Sequence, residues 1–451
     1  MTRPTETPPS VPRIAAVDLY RGLVLLMLLP DPGGFFSLHR YEEQVEPGSL
    51  AANFIGQFQH SKWSGVTAWD LIMPAFVFVS GVAMQLSFAR RRERGDSLAA
   101  IWSHAAIRAG TLICLGLALS SRIVTTFDEI WPLLILLAGL PVPSLLARYG
   151  CVHDAVSVRR LELFWWTSLL ALSVARFAPR VPTYGIFESA ALLVQLGLAM
   201  LPAMLVVGRP LRVQCAVAAG LLVAYWIAFV LHPLPVPGLN PAALGVSASD
   251  EWFGGFFARW NKNTNFASAF DVWLFNLAPR TEPFTLHGHG YQTLNFVPMA
   301  ANVIAGVMAG TALSRAEDLQ QLRSSFLAAG SACVMGALFA GAWLCPIVKS
   351  IWTPTYAIFG IGVSVLSLAA ILGRARAGPV ATFLVVLGSN SLLLYTLSMY
   401  YRWKILDTWQ DLTQAVGLQP SFPPVMESAL VLLTLWTVAY VLHRWALFIR
   451  I

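Results

Sequence analysis

Charge is scarce in this 451-residue chain. Only 12% of its residues are Asp, Glu, Lys or Arg, while 57% are hydrophobic. A soluble globular protein carries about 25% charged residues. A large soluble enzyme is excluded, and so is a disordered chain. Cysteine is also scarce. Cys114, Cys151, Cys215, Cys333 and Cys345 are the five present, and none forms a C-x-x-C pair. A disulfide framework or a zinc site is therefore not expected, and no metal is assigned. Lysine is rare too: Lys62, Lys262, Lys349 and Lys404 are the only four among 30 basic residues. No internal repeat is visible, so an inverted-repeat transporter has no support from the sequence.

What is present is apolar length. A membrane-spanning helix needs about 20 apolar residues, and twelve would use roughly 240. Hydropathy predicts spans at 14–30, 66–89, 99–120, 127–147, 161–178, 186–207, 213–232, 295–314, 325–345, 351–373, 378–400 and 425–447. The expected fold is all-α: a polytopic transmembrane bundle of about 12 helices, with 11 as the alternative, forming one membrane-embedded domain over 1–451. Met1 to Arg13 is polar and Pro-rich. Leu23 to Leu29 lacks a small-residue cleavage site and reads as a retained first helix.

The net charge of +7 reflects arginines placed between spans. With the N-terminus inside, the inner loops hold Arg90, Arg91, Arg92 and Arg94; Arg148, Arg159 and Arg160; Arg209 and Arg212; Arg315 and Arg323; Arg374 and Arg376; and finally Arg444 and Arg450. All four lysines fall outside. This pattern follows the positive-inside rule and predicts both termini in the cytoplasm. It points to a lipid bilayer and away from a nucleic-acid partner. Two outer loops are long, 31–65 and 233–294, and are rich in aromatics, Gly, Asn and His. Long loops of this kind are usually functional.

Three local patterns carry polar chemistry. His60 precedes Lys62, Trp63, Gly65, Thr67 and Asp70 at the outer mouth of a helix. Histidine suits proton transfer near neutral pH, and an intramembrane carboxylate needs a partner. Asp18 and Arg21, three apart, share a helical face and can form an ion pair. Asp31 follows Pro30 and precedes a Pro-Gly turn at the outer end of helix one. His287-Gly288-His289 supplies two ligands without a third acidic or sulfur partner nearby, so a flexible loop is the simpler reading.

Val17-Asp18-Leu19-Tyr20-Arg21-Gly22, then His60, Trp63, Gly65, Thr67, Asp70-Leu71, Pro74, Phe76 and Phe78, resemble the heparan-α-glucosaminide N-acetyltransferase family and its bacterial relatives. Asn263-Thr264-Asn265-Phe266, Phe270-Asp271-Val272-Trp273, Asn276, Pro279-Arg280, Glu282-Pro283-Phe284 and Gly290-Tyr291-Gln292-Thr293-Leu294-Asn295-Phe296 resemble the bacterial branch. So do Trp352-Thr353-Pro354-Thr355-Tyr356 and Gly388-Ser389-Asn390-Ser391.

The resemblance implies a transmembrane acyltransferase in a bacterial cytoplasmic membrane. Such an enzyme takes an acetyl group from cytosolic acetyl-CoA, as co-substrate, to a sugar or glycan on the periplasmic side. It implies His60 as the active histidine. Asp31, standing where the family often has an asparagine, would orient His60 or polarise the thioester. Asp70, Lys62, Trp63, Asp18 and Arg21 would support the site. Asn263, Asn265, Asp271, Arg280, Gln292, Asn295, Trp352, Tyr356 and Asn390 are candidate acceptor contacts. Trp252, Trp260, Trp273 and Trp352 are candidate sugar platforms or members of an interfacial aromatic belt. Arg90, Arg91, Arg92, Arg94 and Arg108 are candidate CoA-phosphate contacts, or merely orienting charges. A homo-oligomer is compatible with these features. A transporter for a sugar or similar solute is the alternative; charges in mid-helix are too few to favour it.

Overall fold

The computed structural model describes residues 11–31, 35–120, 192–277, 282–372, 378–418, 422–445 and 447. These residues form helices and no strands. In chain order the helices are α1 (Val11–Leu28), α2 (Leu50–Gly56), α3 (Ile72–Glu93), α4 (Leu98–Ser120), α5 (Leu192–Val206), α6 (Leu211–Leu231), α7 (Phe266–Phe275), α8 (Phe296–Arg315), α9 (Leu319–Trp343), α10 (Pro354–Leu372), α11 (Pro379–Ser389), α12 (Ser391–Ala415) and α13 (Pro424–Arg444).

Among the described residues, seven helices are long and apolar enough to cross a membrane, or eight if the bent pair α11–α12 counts as one span. That is fewer than the twelve expected, for identifiable reasons. α1 carries Arg13, Asp18 and Arg21 within 18 residues. α5 is 15 residues long and contains Pro202. The expected spans 127–147 and 161–178 lie outside the described residues, as does the start of 186–207.

The span expected at 378–400 is broken. α11 and α12 meet at 77°. Asn390 sits at the break with φ −126° and ψ 44°, outside helical values. Its side-chain amide donates to Leu447 O at 3.2 Å. Ser and Asn side chains compete with helical backbone bonding, which suits them to such a break.

α3 and α8 form the centre of the bundle and run parallel. They cross where Gly81 faces Gly306. A Cβ on Gly81 would stand 2.0 Å from Val303 O, and one on Gly306 2.0 Å from Phe78 O. Only glycine allows the two backbones to come this close, as small residues do between membrane helices. α10 runs alongside in the same direction: Gly360 meets Pro74, and Tyr356 reaches Asp70. The first turns of α3, α8 and α10 therefore share one end of the bundle. The arginines closing α3 and α8, Arg90–Arg92 and Arg315, share the other.

The long loops are not structureless. Segment 31–65 contains α2 and a 3-10 stretch over Phe35–Gln44, and segment 233–294 contains α7. A second apolar core of Trp63, Tyr225, Phe229, Trp260, Ala267, Cys345, Val348 and Ile351 seats these loops on the helix ends. Each large apolar side chain buried in this way contributes roughly 1.5–3 kcal/mol.

Candidate functional site

The loop ahead of α3 closes on Asp70. Thr67 Oγ1 lies 2.6 Å from Gln59 O, and Trp69 N donates to Gln57 O at 2.9 Å. The carboxylate of Asp70 is fully buried. Its Oδ2 accepts from the backbone N–H groups of Ser61 and Thr67, at 3.0 and 3.2 Å, and lies 3.1 Å from Thr67 Oγ1. Its Oδ1 lies 3.0 Å from His60 Nδ1 and accepts from Lys349 Nζ at 2.9 Å. Lys349 Nζ also lies 2.6 Å from His60 Nδ1. Tyr356 Oη donates to the Asp70 carbonyl at 2.6 Å.

Lys349 arrives on the turn between α9 and α10. Tyr225 Oη donates to Ile351 O at 2.8 Å, and Asn295 Nδ2 to Ser350 O at 2.8 Å. Gly65 N donates to Ile347 O at 3.0 Å and joins this turn to the His60 loop. A buried ion pair survives only when its remaining polar groups are matched, and this one is densely matched. The side chains of Asp70 and Lys349 are 0% and 5% exposed, whereas His60 is 54% exposed. The result is an open imidazole mounted on a sealed carboxylate–ammonium pair. Such an arrangement is suited to moving a proton at the exposed ring edge.

Asp31 stands apart from this cluster. Its Oδ2 accepts from Ser37 Oγ at 2.5 Å and lies 3.6 Å from Arg402; Ser37 in turn meets Ser428 at 2.8 Å. The carboxylate on the His60 ring is therefore Asp70. Asp31 is bound to the 3-10 stretch that follows α1 and to α12.

Trp63 is buried and donates from Nε1 to Trp260 O at 2.9 Å. Gly290, at φ +72°, packs close against it; a Cβ there would stand 2.6 Å from the indole. Lys62 is exposed. Asp18 and Arg21 form the expected pair at 3.1 Å.

The candidate acceptor contacts separate into two groups. Several organise loops. Asn263 Nδ2 donates to Leu244 O and His287 O, and Asn265 caps α7. Trp352 is buried, with Nε1 donating to Asn302 at 3.2 Å, and Trp260 is sealed, so neither ring offers an open sugar platform. Trp273 is 57% exposed. Gln292 and Asn295 lie next to the first turn of α8 and use their amide nitrogens on Ser268 and Ser350 respectively; like Asn263 and Asp271, each keeps a buried side-chain oxygen without a partner among the described residues. Arg280 lies outside the described residues.

A second histidine–carboxylate pair occupies the other long loop. His287 Nε2 lies 3.2 Å from Asp271 Oδ2, which also accepts from Thr293 N at 2.9 Å. The rings of Phe275 and Phe284 flank His287. The His287–His289 segment is thus pinned in place.

No protein-family profile matches the chain. Over 158 residues it is 30% identical to a heparan-alpha-glucosaminide N-acetyltransferase of Mus musculus, covering 35% of this chain and 20% of that protein. The Homo sapiens protein of the same name is 28% identical over 151 residues, 33% of this chain and 19% of its own. These similarities support a heparan-alpha-glucosaminide N-acetyltransferase-like acyltransferase family. The matched stretch is only about a fifth of the length of either curated relative.

At the opposite end of the bundle lies a small, half-open pocket between α3, α4 and α5. Arg91, His104 and Arg108 line it together with apolar Met84, Phe88, Trp102 and Met204. Arg91 is paired with Asp96 at 3.3 Å. Arg108 Nε is buried and has no partner among the described residues. Of the five candidate arginines, only Arg91 and Arg108 meet in this cavity; Arg90, Arg92 and Arg94 are exposed at the end of α3. An anionic phosphate ester with an apolar extension fits such a lining.

Sequence reading overlooked Lys349 as a site residue. The available signal was a rare lysine three residues ahead of the Trp352–Tyr356 motif.

Proposed function

We propose that this protein is a membrane acyltransferase that transfers an acetyl group from acetyl-CoA to an amine or hydroxyl of a sugar or glycan. The carrying observation is the exposed His60 imidazole on the buried Asp70–Lys349 pair. In this reading His60 Nε2 takes the proton of the acceptor group. Asp70 holds the ring through Nδ1 and stabilises the imidazolium that forms, a role carboxylates take in catalytic triads. The donor supplies the acyl group as a thioester. Arg91 and Arg108 would hold its phosphates, with the apolar side of their cavity against the rest of the molecule. The oxygens of Gln292 and Asn295 are proposed to accept from acceptor hydroxyls.

Sidedness follows the charge pattern. The arginine-bearing end, with both termini, is assigned to the cytoplasm, and the His60 end to the periplasm of a bacterial cytoplasmic membrane. Arg91 lies 21 residues beyond Asp70, ~30 Å along a helix rising 1.5 Å per residue. That matches the roughly 30 Å hydrocarbon core of a bilayer. A donor bound by phosphates at one face therefore needs a long arm to present its acyl group at the other.

Purified protein incubated with acetyl-labelled acetyl-CoA and hexosamines or oligosaccharides is expected to yield labelled sugar. Donor turnover without label in any amine- or hydroxyl-bearing sugar would contradict the reading.

A further inference from the structure

Lys349 Nζ, Asp70 Oδ1 and His60 Nδ1 form a closed triangle with sides of 2.6, 2.9 and 3.0 Å. An ammonium only donates, and a carboxylate only accepts. Facing the ammonium, Nδ1 must offer a lone pair; facing the carboxylate, it must carry a proton. It cannot do both. The shortest side is the one to Lys349, and an ammonium with one N–H on Nδ1 and another on Oδ1 accounts for both of its contacts. A neutral imidazole in that state carries its proton on Nε2, at the exposed edge. It is then a donor there and cannot act as a base.

We propose that Lys349 is a positioning residue that sets the tautomer of His60 and must give up a proton before His60 acts as a base. The inference rests on the acyltransferase reading only for its rate measurements. The proton balance is as follows. An N–H bond breaks at Nζ and forms at Nδ1, leaving a neutral amine and an imidazolium whose Nδ1–H donates to Asp70. The Nε2–H is then lost to water, leaving a lone pair at the exposed edge. One proton has entered solvent, and the three groups together have gone from net zero to minus one. Lysine suits this role because its charge state shifts readily on burial, whereas arginine stays protonated. The other titratable groups around the triangle are Tyr356, bonded to the Asp70 carbonyl; Tyr291, electrostatically coupled to Tyr356; exposed Lys62 on the His60 loop; and Glu251, which accepts from Ser64.

The test uses the full chain in lipid nanodiscs with 15N-labelled histidine, His60 being assigned by loss of its signals in His60→Gln. Near neutral pH the wild-type ring is expected as the Nε2–H tautomer, and Lys349→Gln should convert it to Nδ1–H. A wild-type ring already in the Nδ1–H form overturns the proposal, whatever reaction the protein performs. Lys349→Arg keeps the charge and the pairing with Asp70. It should fold and lose transfer at least ~100-fold at every pH, the scale of a positioned acid–base group. Lys349→Gln should keep measurable transfer, with the acid limb of its pH–rate profile moved to lower pH. Wild-type rates in Lys349→Arg would reduce Lys349 to a counter-ion and overturn the proposal. If wild-type protein transfers no acyl group, the acyltransferase reading fails while the tautomer measurement still decides this one.

Discussion

His60–Asp70 and His287–Asp271 are the same pair of residue types in opposite settings. Both carboxylates are fully buried and accept a backbone N–H. The first histidine is 54% exposed, the second 17%. The first pair has an ammonium in contact with both members; the second is flanked by two phenylalanine rings. The difference teaches that a histidine–carboxylate contact alone does not make a base. In the proposed reading, exposure of the ring separates the pair that exchanges protons from the one that pins a loop, and the ammonium at Nδ1 controls when it does so.

Removing each carboxylate should widen that contrast. Asp70→Asn leaves Lys349 buried without its counter-charge, and breaking such a pair costs about 3–5 kcal/mol. Asp271→Asn weakens hydrogen bonds without stranding a cation, at about 1–3 kcal/mol. Thermal unfolding of the two variants in the same detergent should therefore rank Asp70→Asn clearly below Asp271→Asn. Equal melting temperatures would remove the distinction.

A smaller effect is expected at the far end of the bundle. Arg91→Gln with Arg108→Gln should weaken acetyl-CoA binding at least ~10-fold, since charge-assisted contacts contribute about 1.5–3 kcal/mol each. Binding measured by calorimetry that stays unchanged would return these arginines to an orienting role.

Asp31→Asn is expected to change transfer less than threefold. Ser37 and Arg402 are among its partners, and the His60 ring is held by Asp70 and Lys349. A loss comparable to that of a His60 variant would bring Asp31 back into the catalytic group.

The smallest effect concerns the outer loop at Asp250. Burial pushes its carboxyl up, but the Ser247 backbone N–H and the Lys262 ammonium together hold it below the usual range. The folded state therefore favours the carboxylate. Its stabilisation is present above the ordinary aspartate pKa and lost as pH falls through the depressed one. Proteolysis of this loop should accelerate under acid in the wild type and change little with pH in Asp250→Asn.

Much of the helical frame was legible because apolar runs and their arginine ends are local signals. His60 and Asp70 are each visible in the sequence, since both flank the start of one helix, but the sequence reading gives Asp31 and not Asp70 as the carboxylate that orients the ring. Three features were not legible. Lys349 reaches the site across 279 positions from Asp70, through a turn fixed by Tyr225 and Asn295, and no local spacing reports such a contact. Asp31 is nearer to His60 in the chain than Lys349 is, but Ser37 turns it toward α12. The break at Asn390 interrupts a run whose hydropathy reads as continuous; only its polar Gly-Ser-Asn-Ser composition hinted at it.

The most direct measurement compares His60→Ala with His287→Ala for transfer of labelled acetyl from acetyl-CoA to a sugar acceptor, in protein verified as folded and membrane-inserted. Loss of at least ~100-fold is expected for His60→Ala, the lower range for a positioned acid–base group. His287→Ala should stay within a few-fold of wild type. A His60→Ala protein that transfers as fast as wild type, or a His287→Ala protein that falls as far as His60→Ala should, would contradict the assignment of His60 as the reactive histidine.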